Sequence, residues 1–224
     1  MQTTKQMASA ALMAFALSQA QADTTLFQQG FENVSGLAGQ GWSFWNVGQN
    51  PSGEGWFQGQ LFLPAEDGPL DSYIYSGFNA SMNNTLGSDE YISAWLVTPE
   101  IQLTGQDTLH FWIEGPGGNY LKDSLRILIA PGNASAPGDF VQTLFNISSP
   151  PPFWLPLEVQ LPANMSSVRI AFQYYGSNAT AGTLALDSLS ITSAVPEPSS
   201  WLLMTGGVLG LAALRHRRRR AGRP

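Results

Sequence analysis

The sequence predicts an all-β protein, an antiparallel β-sandwich of jelly-roll type, and three observations predict it. Short runs rich in β-branched and aromatic residues recur along the chain, clusters of Gly, Pro, Asn and Asp separate them, and no long stretch carries the 3.6-residue apolar period of a helix. The clearest runs are residues 91–97, 108–113, 124–129, 168–174 and 183–191. Many strands divided by turn chemistry, with no helices between them, leave two packed sheets as the architecture that buries both inner faces. No repeat of fixed period is present.

Two address segments flank this body. At the N-terminus Lys5 precedes an apolar stretch from Met7 to Leu17 and then Ala20-Gln21-Ala22, the small-x-small pattern that a signal peptidase accepts. Residues 1–22 therefore read as a signal peptide, and the chain as exported. At the C-terminus, residues 196–224 run in three parts. Pro196-Glu197-Pro198 comes first, an apolar run from Trp201 to Leu214 follows, and the basic residues Arg215, Arg217, Arg218, Arg219 and Arg220 close it. At about 1.5 Å per residue the apolar run spans about 21 Å as a helix, short of a hydrocarbon core of about 30 Å. A short transmembrane sorting helix, stopped on the cytoplasmic side by its arginines, suits this better than a permanent anchor. A plain single-span anchor, leaving a periplasmic protein held by an uncleaved helix, is the alternative. This order of parts resembles the PEP-CTERM signal of Gram-negative bacteria that make extracellular polysaccharide. The resemblance implies an exosortase that cuts near Pro-Glu-Pro and releases or re-anchors the protein at the cell surface, in the outer envelope or in the extracellular matrix. Contact with the inner membrane would be at least transient.

Residues 23–195 are long enough for one sandwich with a core of its own. They hold fifteen acidic residues against Lys122, Arg126 and Arg169, a formal charge of −12 that repels phosphate backbones and sets nucleic acid aside as a partner. With 43% hydrophobic and 12% charged residues the chain is not a disordered polyampholyte. The absence of cysteine excludes disulfide frameworks, thiolate metal sites and cysteine nucleophiles, and two histidines are too few for a multi-histidine centre.

Catalytic chemistry finds little to work with. The one histidine of the body, His110, sits in Leu109-His110-Phe111-Trp112-Ile113-Glu114, where strand alternation puts His110, Trp112 and Glu114 on one face without a nucleophile. No Gly-x-Ser-x-Gly elbow and no phosphate-cradling glycine loop occur. The doublets Glu66-Asp67 and Asp89-Glu90 lie in turn-like contexts, and neighbours on a strand point apart, so neither doublet makes an acid and base pair across one glycosidic bond. The aromatic residues say more. Trp42, Trp45, Trp56 and Trp154 fall beside Gly, Pro or Asn rather than within long strands, the placement of loop tryptophans that stack on sugar rings or plug the ends of a sandwich. Seven Asn-x-Ser/Thr sequons, from Asn33 to Asn178, follow from the Asn, Ser and Thr content of the turns and are not read as modified sites.

A series of local patterns then carries a second resemblance: Phe27-Gln28-Gln29-Gly30-Phe31-Glu32, Gly41-Trp42, Gly55-Trp56-Phe57-Gln58-Gly59, Asp71-Ser72-Tyr73-Ile74, Ser93-Ala94-Trp95-Leu96-Val97-Thr98-Pro99, Leu109-His110-Phe111-Trp112 and Leu186-Asp187-Ser188-Leu189-Ser190-Ile191. In this order they resemble a choice-of-anchor J domain, related to MAM-like and cleaved-adhesin jelly rolls, over nearly all of residues 26–192. The resemblance implies a fold and a location, with no shared activity. It also implies a structural Ca²⁺ shared by Glu32 after the first strand and Asp187 in the last. Two carboxylates leave most of the six to eight oxygen ligands to other groups, and Asp187-Ser188 departs from the commoner Asp-Asp ending. Within these patterns Pro99 must end a strand or send it to an edge, and Trp95 is expected to cap the core. The functional expectation is a non-catalytic, exosortase-sorted adhesive or structural module that binds exopolysaccharide. The alternative is a secreted carbohydrate-active enzyme or sensor.

Overall fold

The computed structural model describes residues 23–60, 63–82, 89–118 and 120–194, and the signal-peptide and sorting-tail readings lie outside them. Among the described residues twelve strands build two antiparallel sheets. They are β1 (Thr24–Gln29), β2 (Ser43–Asn46), β3 (Phe57–Gln58), β4 (Ile74–Gly77), β5 (Tyr91–Val97), β6 (Ile101–Gln102), β7 (Asp107–Glu114), β8 (Ser124–Pro131), β9 (Gln142–Ser148), β10 (Leu155–Gln160), β11 (Ser167–Ser177) and β12 (Thr183–Ser193). The first sheet runs β10-β7-β12-β4-β3, with β1 also on β12; the second runs β2-β5-β11-β8-β9, with β6 also on β11. All five runs singled out in the sequence are strands, each extended by no more than a few residues.

Alternation decides which residues enter the space between the sheets. On β7, Leu109, Phe111 and Ile113 are buried while His110, Trp112 and Glu114 are half-buried on the outer face. Ile92, Ala94 and Leu96 of β5, Leu125, Ile127 and Ile129 of β8, and Val168, Ile170, Phe172 and Tyr174 of β11 meet them from the second sheet. Phe111 and Phe172 touch edge to face across the core at 5.8 Å between ring centres. The 3₁₀ turns at Val34–Gly36 and Ala38–Gln40 close one end, and Val34 and Leu37 enter the core from them. Strand β5 ends at Val97, as Pro99 dictates. Thr98 still exchanges hydrogen bonds with Ile170 before the chain re-pairs as β6.

Each sheet has a smaller apolar cluster on its outer face. On the first sheet Tyr73, Tyr75 and Ala185 pack under the segment that carries Leu63 and Ala65. On the second, Trp95, Val97, Leu128, Ala130 and Ala171 pack with Ala134 and Phe140 of the segment after β8. Trp95 therefore lies outside the second sheet instead of capping the inner core, because its parity on β5 is opposite to that of Leu96.

Strand β12 is the centre of the first sheet. Residues 183–186 pair with β4 and residues 189–193 with β1, while β7 follows its other side. At the change of partner the register shifts, and Ser188 takes a left-handed conformation with φ of 48°. This extra residue keeps Leu184, Leu186, Leu189 and Ile191 all pointing into the core.

Asp107 fixes the turn into β7. Its carboxylate accepts from the backbone N–H of Thr104 and of Gly105, both at 2.8 Å, and from the Thr104 hydroxyl at 2.8 Å. Burial pushes this carboxyl up, but the hydrogen bonds outweigh burial and hold it below the usual carboxylate range. A depressed folded value means a stabilisation that is present above the unfolded value near pH 4 and lost as pH falls through the folded value. Asp107→Asn should cost about 1–3 kcal/mol at pH 7 in urea denaturation. The gap to the parent protein should narrow at pH 3, and an unchanged gap would rule out the ionised Asp107 as its source.

Candidate functional site

The partner change on β12 opens a cavity of about 310 Å³ on the first sheet. Thr25, Gln28, Gln29, Gly30 and Glu32 line it from β1 and the residues after it, Asp67 and Gly68 from the preceding loop, and Asp187 to Ser190 from β12. Phe31, at φ of 58°, turns its ring into the core and leaves Glu32 on the cavity side. Gly30 makes room for that carboxylate, since a Cβ there would stand 2.5 Å from Glu32 Oε1. The structure thus brings Glu32 and Asp187 to one cavity.

Asp187 is fully buried, and its carboxylate accepts three backbone N–H groups: Glu66 at 2.9 Å, Asp67 at 3.3 Å and Ser188 at 2.6 Å. Burial pushes its carboxyl up to about 6; those three bonds oppose the rise, and the charge of Glu66 adds to it. Glu66 in turn accepts the Ser188 hydroxyl at 3.0 Å. A buried carboxylate with acidic neighbours and no cationic side chain in the lining is a setting that a divalent ion relieves, and the lining is made of hard oxygen donors. The donor set therefore fits Ca²⁺. Among the described residues no three carboxylate or imidazole groups converge on one point, so further ligands would be amide, hydroxyl or peptide oxygens.

The outer face of β7 holds an arrangement that the sequence did not reveal. His110 Nε2 lies 3.0 Å from Thr192 Oγ1, and His110 Nδ1 lies 3.5 Å from Glu158 Oε1. A hydroxyl, an imidazole and a carboxylate are thus in line, because β12 and β10 flank β7. Acyl transfer also needs free donors for an oxyanion. Thr192 lies in a strand paired on both sides, with Thr108 and with Thr25, and Glu158 is exposed. The group reads as a cross-strand hydrogen-bonded row. Of the acidic doublets, Glu90 is taken up by Asn50 at 2.5 Å and Ser81 at 2.9 Å, and Glu66 by Ser188.

The four tryptophans separate into different roles. Trp42 is 4% and Trp56 2% exposed. Trp42 packs between Phe27 and Phe31, and Trp56 lies in the inner core. Neither presents a ring face to a sugar, which corrects the expectation for these two; the turns around them fold inward and complete the core. Trp154 is half-buried, donates to the Pro64 carbonyl at 3.0 Å and meets Tyr73 edge to face, so it pins the loop over the first sheet. Trp45 remains. It is half-buried on the outer face of the second sheet, with Phe140 edge-on at 5.9 Å and Trp95 at 6.4 Å.

From Trp45 a cross-strand row continues through Trp95, Gln173, Arg126 and Asn146, each directly opposite the next. Gln173 donates to Ser93 Oγ at 3.0 Å, and Tyr175 donates to Asn146 Oδ1 at 3.0 Å. Trp95 and Gln173 are buried within this row, and Trp45, Arg126 and Asn146 are its accessible members.

Residues 194–219 match the PEP-CTERM protein-sorting motif, so the chain carries an exosortase-type sorting signal and is an exported, envelope-associated protein. Pro196, Glu197, Pro198 and the arginine cluster fall within that match and outside the described residues. Among the described residues no helix is long and apolar enough to cross a membrane. The sandwich is similar to the K3 cleaved adhesin domain of Lys-gingipain from Porphyromonas gingivalis, with 20% identity, a TM-score of 0.54, and coverage of 77% of this chain and 99% of that one. The K1 cleaved adhesin domain of the same protein is similar at 21% identity and a TM-score of 0.53, with coverage of 77% and 99%. These likenesses show the fold, a jelly-roll sandwich. The chain matches no curated protein by sequence.

The two kinds of tryptophan differ in what their removal costs. Trp56→Ala should lose about 3–5 kcal/mol of stability by emptying a core position. Trp45→Ala, which uncovers a surface that is already half-solvated, should lose about 1–2 kcal/mol. Equal losses in parallel denaturation curves would contradict the placement of these rings.

Proposed function

We propose that this chain is a non-catalytic adhesive or structural module, exported through a signal peptide cleaved after Ala22. In this reading an exosortase handles the tail, and the module ends at the cell surface or in the extracellular matrix of a Gram-negative bacterium. There it binds exopolysaccharide through the outer face of the second sheet. The observation that carries the reading is the sorting motif at 194–219, directly behind a sandwich whose similar structures are adhesin domains. A binding role is favoured over a carbohydrate-active enzyme because the similar structures are adhesin domains, and because Asp187 and Glu66 are held by backbone and hydroxyl donors and Glu90 by an amide and a hydroxyl. Trp45 supplies the ring face, and Asn146 and the Ser124 and Ser148 hydroxyls supply polar partners.

In the producing bacterium, deletion of residues 196–224 should abolish surface display while export persists, as read by protease accessibility on whole cells. Unchanged display would defeat the sorting reading. Bound Ca²⁺, held by Glu32 and Asp187, would clamp the end of β1 to the middle of β12. Thermal melts should then rise with added Ca²⁺ and return with chelator, by about 2.7 kcal/mol of stability at a hundredfold excess over Kd. Asp187→Asn should remove the response, and a parent protein whose melt ignores Ca²⁺ would remove the ion from the account.

A further inference from the structure

The two sheets divide the charged strand residues between them. The strands of the first sheet carry Asp107, Glu114, Glu158 and Asp187 and neither Lys nor Arg. The strands of the second carry Arg126 and Arg169 and neither Asp nor Glu. Lys122 apart, no other Lys or Arg occurs in positions 23–195. In a body of charge −12, both stand on the outer face of one sheet.

The two are used differently. Arg169 is consumed by the fold. Its Nε donates to the Thr98 carbonyl at 2.8 Å, one terminal nitrogen to the Ala134 carbonyl at 2.9 Å, and the other to Ser43 Oγ at 2.8 Å and the Gly41 carbonyl at 3.3 Å. Arg126 lies with its guanidinium carbon 4.7 Å from the centre of the Tyr175 ring, a stacking that leaves its N–H groups free. No carboxylate among the described residues pairs with it. Beside it in the row, the side-chain carbonyl of Gln173 is buried without a hydrogen-bond partner. A stacked, half-buried arginine with an unspent planar fork is suited to bidentate recognition of a carboxylate.

Resting on the polysaccharide reading above, we infer that the outer face of the second sheet selects an acidic polysaccharide, a chain containing uronate sugars. Arg126 pairs with the sugar carboxylate while Trp45 packs on a neighbouring ring. Five strands at about 4.8 Å spacing put Trp45 and Asn146 about 19 Å apart, room for several linked sugars along the row. The acidic first sheet does not forbid this. The sheets lie about 10 Å apart, and charges on the far face are screened beyond about 8 Å at physiological salt.

The test uses the full-length chain in affinity electrophoresis through gels containing polygalacturonate or the same polymer with its carboxyl groups reduced to alcohols. The tail arginines would attract any polyanion, so the chain compared throughout has residues 215, 217–220 and 223 changed from arginine to glutamine. Polygalacturonate should bind about tenfold tighter than the reduced polymer, the factor expected of one charge-assisted pair. Arg126→Gln should lose that factor and leave binding to the reduced polymer unchanged, with a melt matching the parent to show it is folded. Glu158→Gln on the opposite face should change neither. Equal affinity for the two polymers would overturn the acidic preference and leave the polysaccharide reading standing. Binding to neither polymer by a folded chain would overturn both. Retardation by double-stranded DNA as strong as by polygalacturonate would also overturn the proposal, since the face would then read charge without the sugar.

Discussion

The pairing of β12 is the constraint on which the first sheet depends. It is a central strand with three partners, and β1 and β4 share one of its sides end to end. Two short strands can share a side only if the long strand keeps its apolar alternation across the junction. The left-handed Ser188 supplies the one-residue correction, and the Asp187 carboxylate, gripped by the backbone of Glu66, Asp67 and Ser188, fills the gap that the junction leaves. The cavity with Glu32 follows from the same junction. Fold and candidate ion site are two results of one irregularity.

How legible all this was in the sequence depends on how strongly each strand is buried. Strands β5, β7, β8, β11 and β12 stood out because both their length and their apolar content are those of central strands. Strands β3 and β6 are two residues long, and β9 and β10 are edge strands with polar outer positions and a Pro156 that a central strand would not accept, so no periodic signal marks them. The meeting of Glu32 and Asp187 was legible only through family resemblance. Their separation in sequence gives no local clue, and Glu66 and Asp67, whose backbone N–H groups hold Asp187, sit in a loop that looks solvated.

The tryptophans show a different limit. Neighbouring Gly and Pro correctly marked Trp42 and Trp56 as lying outside long strands, yet both rings are in the core because irregular segments close the ends of the sandwich. Trp45 and Trp95 are in strands whose parity sends them outward. Local composition reports the backbone state, whereas burial is set by which side of a sheet, or which end of the sandwich, the segment meets. The separation of acidic and basic strand residues onto opposite sheets was equally hidden, since it depends on sheet membership, which sequence order does not state.

The sorting tail begins where β12 ends, with Ala194 still hydrogen-bonded to the Gln106 carbonyl. Any tether built on that tail hands its load straight to the central strand of the first sheet. A pull along β12 runs parallel to its ladders with β7 and β1, so many bonds must slip together before the strand moves, whereas a tether on an edge strand would peel bonds one at a time. A molecule stressed by flow at one end and held at the other would thereby be gripped in shear, through the middle of a sheet.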